Sequence, residues 1–255
     1  MNTTISNVYD ALCRLAPLDL QMDFDNSGFL VGHLNREIHR VLLALDITDE
    51  VIDEAETMGA ELIVSHHPLI FHKLSAVTDA APDARVLHLI EKGIAAVCMH
   101  TNLDIAEGGV NDVLIRLLGA SCESVLDADG CGRIGVLPEE MPLTDFLAHC
   151  KTVLKANGLR YYDAGRPVKH LAVMGGAGAD SLVDAWKKGC DTYVTADIKY
   201  HQFQEAACLG LNLIDADHFS TENPIIPVLA DYLRQAFPDL DIVVSQRHHA
   251  IISFF

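Results

Sequence analysis

A chain of 255 residues, 50% of them hydrophobic, carries enough apolar area for one large or two ordinary cores. The formal charge of −18, from 18 basic and 36 acidic residues with no Lys/Arg run, argues against a partner that is a nucleic acid. No stretch approaches the ~20 apolar residues of a membrane helix, and the start, MNTTISNVYD, has neither a basic segment nor an apolar run, so a cytoplasmic protein without membrane contact is expected.

The first strong pattern begins at Arg40. Val41 to Leu45 is an apolar run of buried-strand type; Thr48 and Asp49 can cap a helix from Glu50 to Met58, and Gly59 stops it. A strand over 61–65 follows, ending at His66-His67-Pro68. A helix over about 83–92 and a strand over 94–99 lead to His100-Thr101-Asn102-Leu103-Asp104, and a helix over about 109–118 closes the half. Strands alternating with helices imply a parallel sheet with right-handed crossovers.

Past Asp-Ala-Asp-Gly-Cys-Gly (127–132), where periodicity breaks, the spacing predicts a strand over 133–137, a helix over 143–156 and a strand near 159–162. The earlier plan then recurs: strand 171–174, turn Gly175-Gly176-Ala177-Gly178, helix 180–188, strand 191–195, helix 202–209 and strand 211–215. A helix over about 224–237 and a strand over 242–245 end the chain. Setting Gly59 against Gly189 aligns Gly-Ala-Glu-Leu-Ile-Val-Ser with Gly-Cys-Asp-Thr-Tyr-Val-Thr and puts Ala196-Asp197 opposite His66-His67. The expectation is α/β: two similar α/β domains from a duplicated βαβαβ unit, with mostly parallel sheets flanked by helices. The first would span 1–125 and carry His66, His67 and Asp104. The second would span 126–255 and carry His218 and Glu222, with a C-terminal segment able to pack back on the first.

Seven cysteines without a C-x-x-C spacing, several in apolar runs, read as buried free thiols, Cys98 among them, rather than a zinc site or disulfide framework. Histidine is plentiful, 13 in all, and its placement matters. Open parallel sheets gather ligands at the carboxyl ends of their strands. His66 and His67, His100 and Asp104, and His218 and Glu222 all lie at or just past such ends. Imidazole with carboxylate suits zinc, iron(II) or manganese better than calcium or magnesium.

Each pair also has a plainer reading. Adjacent histidines point to opposite faces of a strand, Asp104 could be a helix N-cap, and Glu222 could complement a helix dipole. Coincidence of all three at strand ends favours metal. Asp197 and His201 could form a proton relay beside such a site, or simply start a surface helix. The 175–178 glycines could face a phosphate, though a tight turn accounts for them better. His248-His249 reads as a surface feature.

Asp25-Asn26-Ser27-Gly28-Phe29-Leu30-Val31-Gly32, Ser65 to Phe71, His100 to Asp104 and Asp215 to Glu222 together resemble the Nif-three-like family of dinuclear metal-centre proteins, often labelled GTP cyclohydrolase 1 type 2. The likeness runs over nearly the whole chain. It implies two divalent metal ions (zinc, iron or manganese) held by His66, His67, Asp104, His218 and Glu222, with Asp104 a bridge and His100 a close neighbour. It also implies a homohexameric ring with its sites facing an internal cavity. Phe24 stands where that family often has Trp, and His72 where a basic residue is frequent, which bears on substrate preference rather than on ligands. The function expected is metal-dependent hydrolysis of a small, nucleotide-like molecule, with His100 or His201 moving protons and GTP cyclohydrolase activity implied by the resemblance alone. The alternatives are a metal-delivery protein without turnover and a metal-stabilised interaction scaffold.

Overall fold

The computed structural model describes residues 3–80 and 84–254. It divides into two compact units, one of Met1–Ala106 with Ile225–His249, the other of Glu107–Pro224 with Ala250–Phe255.

In chain order the first unit supplies α1 (Ile5–Leu15), β1 (Gly28–Val31), β2 (Arg40–Ala44), α2 (Asp49–Met58), β3 (Leu62–Ser65), α3 (Ala84–Lys92), β4 (Ala95–Cys98) and α4 (Thr101–Ile105). The second unit holds α5 (Val110–Leu117), β5 (Ser121–Val125), β6 (Arg133–Met141), α6 (Leu143–Val153), β7 (Arg160–Tyr162) and β8 (Val168–Val173). It continues with α7 (Leu182–Lys187), β9 (Thr192–Thr195), α8 (Tyr200–Leu209), β10 (Asn212–Asp215) and α9 (His218–Glu222). The chain then returns to the first unit with α10 (Ile225–Ala236) and β11 (Asp241–Val244).

Local chemistry sets the ends of these elements. Thr48 caps α2 by accepting the Val51 N–H, and Gly59 ends it in the left-handed region at φ 70°, where a side chain would be strained. Strands β3, β4, β9 and β10 are buried at every position, as strands covered on both faces must be; β3 and β4 accordingly read as apolar runs, while β9 and β10 bury polar residues at both ends.

The first sheet has the order β1-β4-β3-β2-β11, with β1 antiparallel to β4 and the rest parallel. The second has the order β5-β6-β8-β9-β10-β7. Its β8, β9 and β10 are parallel, while β7 runs antiparallel to β10 and the β5–β6 hairpin adds antiparallel strands beside β8. Each sheet therefore contains three consecutive parallel strands whose last member is flanked by an antiparallel strand from earlier in the chain. This is the duplicated plan, down to side chains. Glu61 accepts the backbone N–H groups of His39 and Arg40 at 3.0 and 2.9 Å, and its aligned counterpart Asp191 accepts those of Lys169 and His170 at 3.0 and 2.7 Å.

Residues 107–125, which periodicity alone puts in the first domain, belong to the second unit because β5 pairs with β6. The break at 127–132 is the turn of that hairpin, so the second sheet is more mixed than its strand pattern implies. Helix α1 and strands β1 and β5 carry no signal strong enough to be read in advance. Asp83, expected to open α3, lies outside the described residues. The cysteines are free, as expected, but Cys122 and Cys208 are exposed rather than buried.

Candidate metal centre

In the first sheet, Ala44 pairs with Ser65 and Ser65 with Cys98, so β2, β3 and β4 end level with one another. The residues just past those ends are Asp46, His66 with His67, and His100. The outer strands serve the same edge. Antiparallel β1 begins opposite Cys98, bringing Asp25 in just before it, and β11 ends with Val244 opposite Leu43, so His248 follows it there. All five strands thus send a polar side chain to one carboxyl edge.

Three imidazoles meet on that edge. His66, His67 and His100 bring ring nitrogens within 4.8 Å of one another, with ring centroids 5.0 to 5.6 Å apart. Each has its Nδ1 against an acceptor: His66 on the Met99 carbonyl at 2.8 Å, His67 on Asp46 at 2.7 Å, His100 on Asp25 at 2.7 Å. A carbonyl or carboxylate oxygen only accepts, so Nδ1 carries the hydrogen and the neutral ring turns its Nε2 lone pair into the group. His66 is fully buried, and its Nε2 lies 3.6 Å from Oδ1 of Asp104, which sits on the short helix α4.

The anchoring carboxylates are themselves held. Burial alone would raise Asp25, but hydrogen bonds from His100, Thr101 and Ser27 outweigh it and keep the carboxyl well below its ordinary range. Asp46 behaves alike: burial opposes ionisation, and His248 and His67 overcome it. Asp25 lies in a turn closed by the Asp25 N–H on the Met22 carbonyl, and Met22 is tied in turn to Thr101 Oγ1 at 3.0 Å.

The second unit carries a smaller group on its own carboxyl edge. His218 opens α9 just past β10, and its Nδ1 meets Asp197, just past β9, at 2.8 Å. By the same chemistry Nε2 bears the lone pair, and it faces Oε2 of buried Glu222 at 3.0 Å. A lone pair set against a carboxylate oxygen at that distance is tolerable only with a cation or a proton between them. The loop past β8 completes the group. Gly176, at φ 63°, donates its N–H to Thr221 Oγ1 at 3.0 Å, and a Cβ there would intrude on Glu222 Oε1 and stand 3.1 Å from His218 Nε2. The glycine turn is therefore a close approach of backbone to this pair.

Each expected ligand is accordingly found in a polar group of its own unit: His66, His67 and Asp104 with His100 in the first, His218 with Glu222 in the second. His201 stands apart, exposed in the first turn of α8, its side chain making no hydrogen bond, ion pair or ring contact among the described residues. Its expected relay partner Asp197 is the one that touches a site residue. Sequence reasoning misses Asp46 and His248. Asp46 has the same signal as the histidines, a polar residue just past a strand end, whereas His248 becomes visible only once β11 is known to join the first sheet. His248 is 7% exposed at its side chain and bonds Asp46 at 3.1 Å, so it is no surface feature.

These observations define a two-sheet α/β protein whose strand ends gather buried and half-buried imidazoles and carboxylates able to hold a metal ion. Among the described residues no helix is long and apolar enough to cross a membrane. The family described as Duf34/NIF3 (NGG1p interacting factor 3) matches residues 3–250, and the chain belongs to it. It is 35% identical over 251 residues to a GTP cyclohydrolase 1 type 2 homolog of Clostridium perfringens, covering 95% of this chain and 96% of the relative. It is 36% identical over 244 residues to one of Lactococcus lactis, covering 93% of each. The crystal structure of a Bacillus cereus protein related to NIF3 matches with a TM-score of 0.92 at 26% identity, covering 100% of this chain and 99% of that one.

Proposed function

We propose that the protein is a dinuclear metal-dependent hydrolase in which His66, His67, Asp104, His218 and Glu222 hold two divalent ions, of zinc, iron or manganese. One observation carries this reading: in four histidines from two units, a carbonyl or carboxylate fixes Nδ1–H and commits Nε2 to lone-pair donation. Metal-binding histidines have this arrangement, since the outer partner sets the tautomer and raises ring basicity. When bound, a pair of such ions activates water near neutral pH and polarises the bond under attack.

The chain's own residues then bind, orient and move protons. Asp25 holds His100 through Nδ1, leaving its Nε2 to accept a proton beside the ligands. The rim next to His100 is aromatic: Phe24 and Phe71 are 63% and 39% exposed with ring centroids 6.3 Å apart, and Phe71 lies 6.1 Å from His100 and 4.8 Å from His72. Exposed aromatic faces beside polar donors suit a small substrate with a planar ring, and they support a nucleotide-like one over a simple phosphoester. The names of the relatives support a GTP cyclohydrolase type of reaction. The hexameric ring expected from the sequence belongs to this reading, and a sedimentation measurement checks it.

The test is metal analysis of the purified protein together with nucleotide turnover before and after chelation. Turnover that falls with the metal, returns with it and is abolished in Asp104→Ala supports the enzyme. Tight metal binding with transfer to apo-acceptors and no turnover on any nucleoside or nucleotide would replace it with a delivery protein.

A further inference from the structure

Helix α2 carries a buried carboxylate, Glu54, that plays no part in the groups above. It receives the Ser245 hydroxyl, the Gln246 N–H at 2.9 Å and the Arg247 N–H at 3.3 Å, while Ser245 Oγ also takes the His248 N–H at 3.1 Å. The backbone past β11 is thereby wound into a fixed turn. That turn aims the His248 side chain at Asp46, whose other oxygen takes Nδ1 of His67. Asp46 is 40% exposed at its side chain, and a carboxylate holding only one imidazole there could rotate or exchange that bond for water. With His248 Nε2 on Oδ2 and His67 Nδ1 on Oδ1, both oxygens are engaged and the carboxylate plane is set.

We propose that His248 is a positioning residue of the metal centre, acting through Asp46 to fix the tautomer and the angle of the His67 ring. This rests on the metal reading for its consequence, but its structural half stands on apo protein. The C-terminal turn then contributes to the site without touching a metal, and Glu54 is the buried anchor of that contribution.

The experiment compares wild type, His248→Ala, His248→Gln and the neighbouring exposed His249→Ala, all as full chains. Chelator competition with zinc should give an affinity about tenfold weaker in His248→Ala, within the range that lost outer partners cost. His248→Gln, which keeps a donor, should recover part of it, and His249→Ala should match wild type. The cobalt(II)-loaded proteins should show a changed ligand-field spectrum in His248→Ala alone. In the apo proteins, imidazole nitrogen NMR should find His67 as a single Nδ1–H tautomer in wild type and as a mixture in His248→Ala. A folded His248→Ala with wild-type affinity, spectrum and tautomer overturns the proposal. Wild type that takes up no metal yet shows the tautomer change would sink the hydrolase reading and leave the positioning role standing.

Discussion

The two carboxyl edges are built on one plan and furnished differently. In each, the third parallel strand ends in a His followed four residues later by a carboxylate, His100 and Asp104 on the first and His218 and Glu222 on the second, beside a five-residue helix. At the second strand the edges part: where the first has His66 and His67, the aligned positions of the second are Ala196 and Asp197. Asp197 is used to orient His218 instead of offering a nitrogen. The second edge also has two non-glycine residues at positive φ, and the first has none among the described residues. Asp197 and Asp217 sit at φ 54° and 70°, while the only other described non-glycine residue at positive φ is Lys155, far from either edge in sequence. Such conformations cost of order 1 kcal/mol each and persist where the surroundings impose them. Duplication supplied the frame, and side-chain divergence made one edge rich in imidazole and the other a strained orienting mount.

Breaking that comparison begins with the proposed ligands. Alanine at His66 or His67 should weaken zinc binding by more than the ~100-fold upper range for lost outer partners. Glu222→Gln and His218→Ala should do the same if these two residues are ligands as proposed. Chelator competition on the four variants decides it: losses confined to the first-edge pair would make the second edge a bystander.

Next in size is Gly176→Ala. The new methyl would need a left-handed backbone and space that Glu222 Oε1 occupies, so a loss of about 2 kcal/mol or more is expected in urea unfolding. Gly59→Ala pays the same conformational penalty but has nothing within 4 Å of the new methyl, so it should lose only about 1 kcal/mol. Equal losses would show that the Glu222 contact contributes nothing. A smaller effect again is expected of Asp197→Ala. It frees the His218 ring and should cost about tenfold in zinc affinity with little change in apo stability, whereas unchanged affinity would reduce the His218–Asp197 bond to a surface contact.

How much of this was legible before the structure depends on distance along the chain. Apolar runs with capping residues, such as Thr48 and Gly59 around α2, gave the parallel strands and the positions of His66, His67, His100 and His218, because each is a local pattern. The resemblance of four motifs supplied the expected ligand set, which local pattern could not. The expectation that a C-terminal segment could pack back on the first domain did not say which strand it would join; what stayed hidden is the pairing between remote segments: β11 with β2, which brings His248 to Asp46, β1 with β4, which brings Asp25 to His100, and β5 with β6, which moves 107–125 to the other unit. Periodicity reports which face of an element is buried and says nothing about which neighbour buries it.

The smallest effect concerns the opposite end of the sheets, where Glu61 and Asp191 play the same part. Burial by itself would raise Glu61, but the N–H groups of His39 and Arg40 and the His39 ring outweigh it, so its carboxyl titrates below the ordinary ~4.3. A group depressed in the folded state contributes stability above its unfolded pKa and loses it as pH falls through the folded value. Glu61→Gln can keep one oxygen on both backbone donors, which bond the same Oε2, and so forfeits mainly the charge. The gap in urea midpoint between wild type and Glu61→Gln should therefore be widest near pH 7 and shrink from about pH 5 downward. A gap that stays constant from pH 7 to pH 3 would mean that packing, and not the ionised carboxylate, is what the first sheet retains at this position.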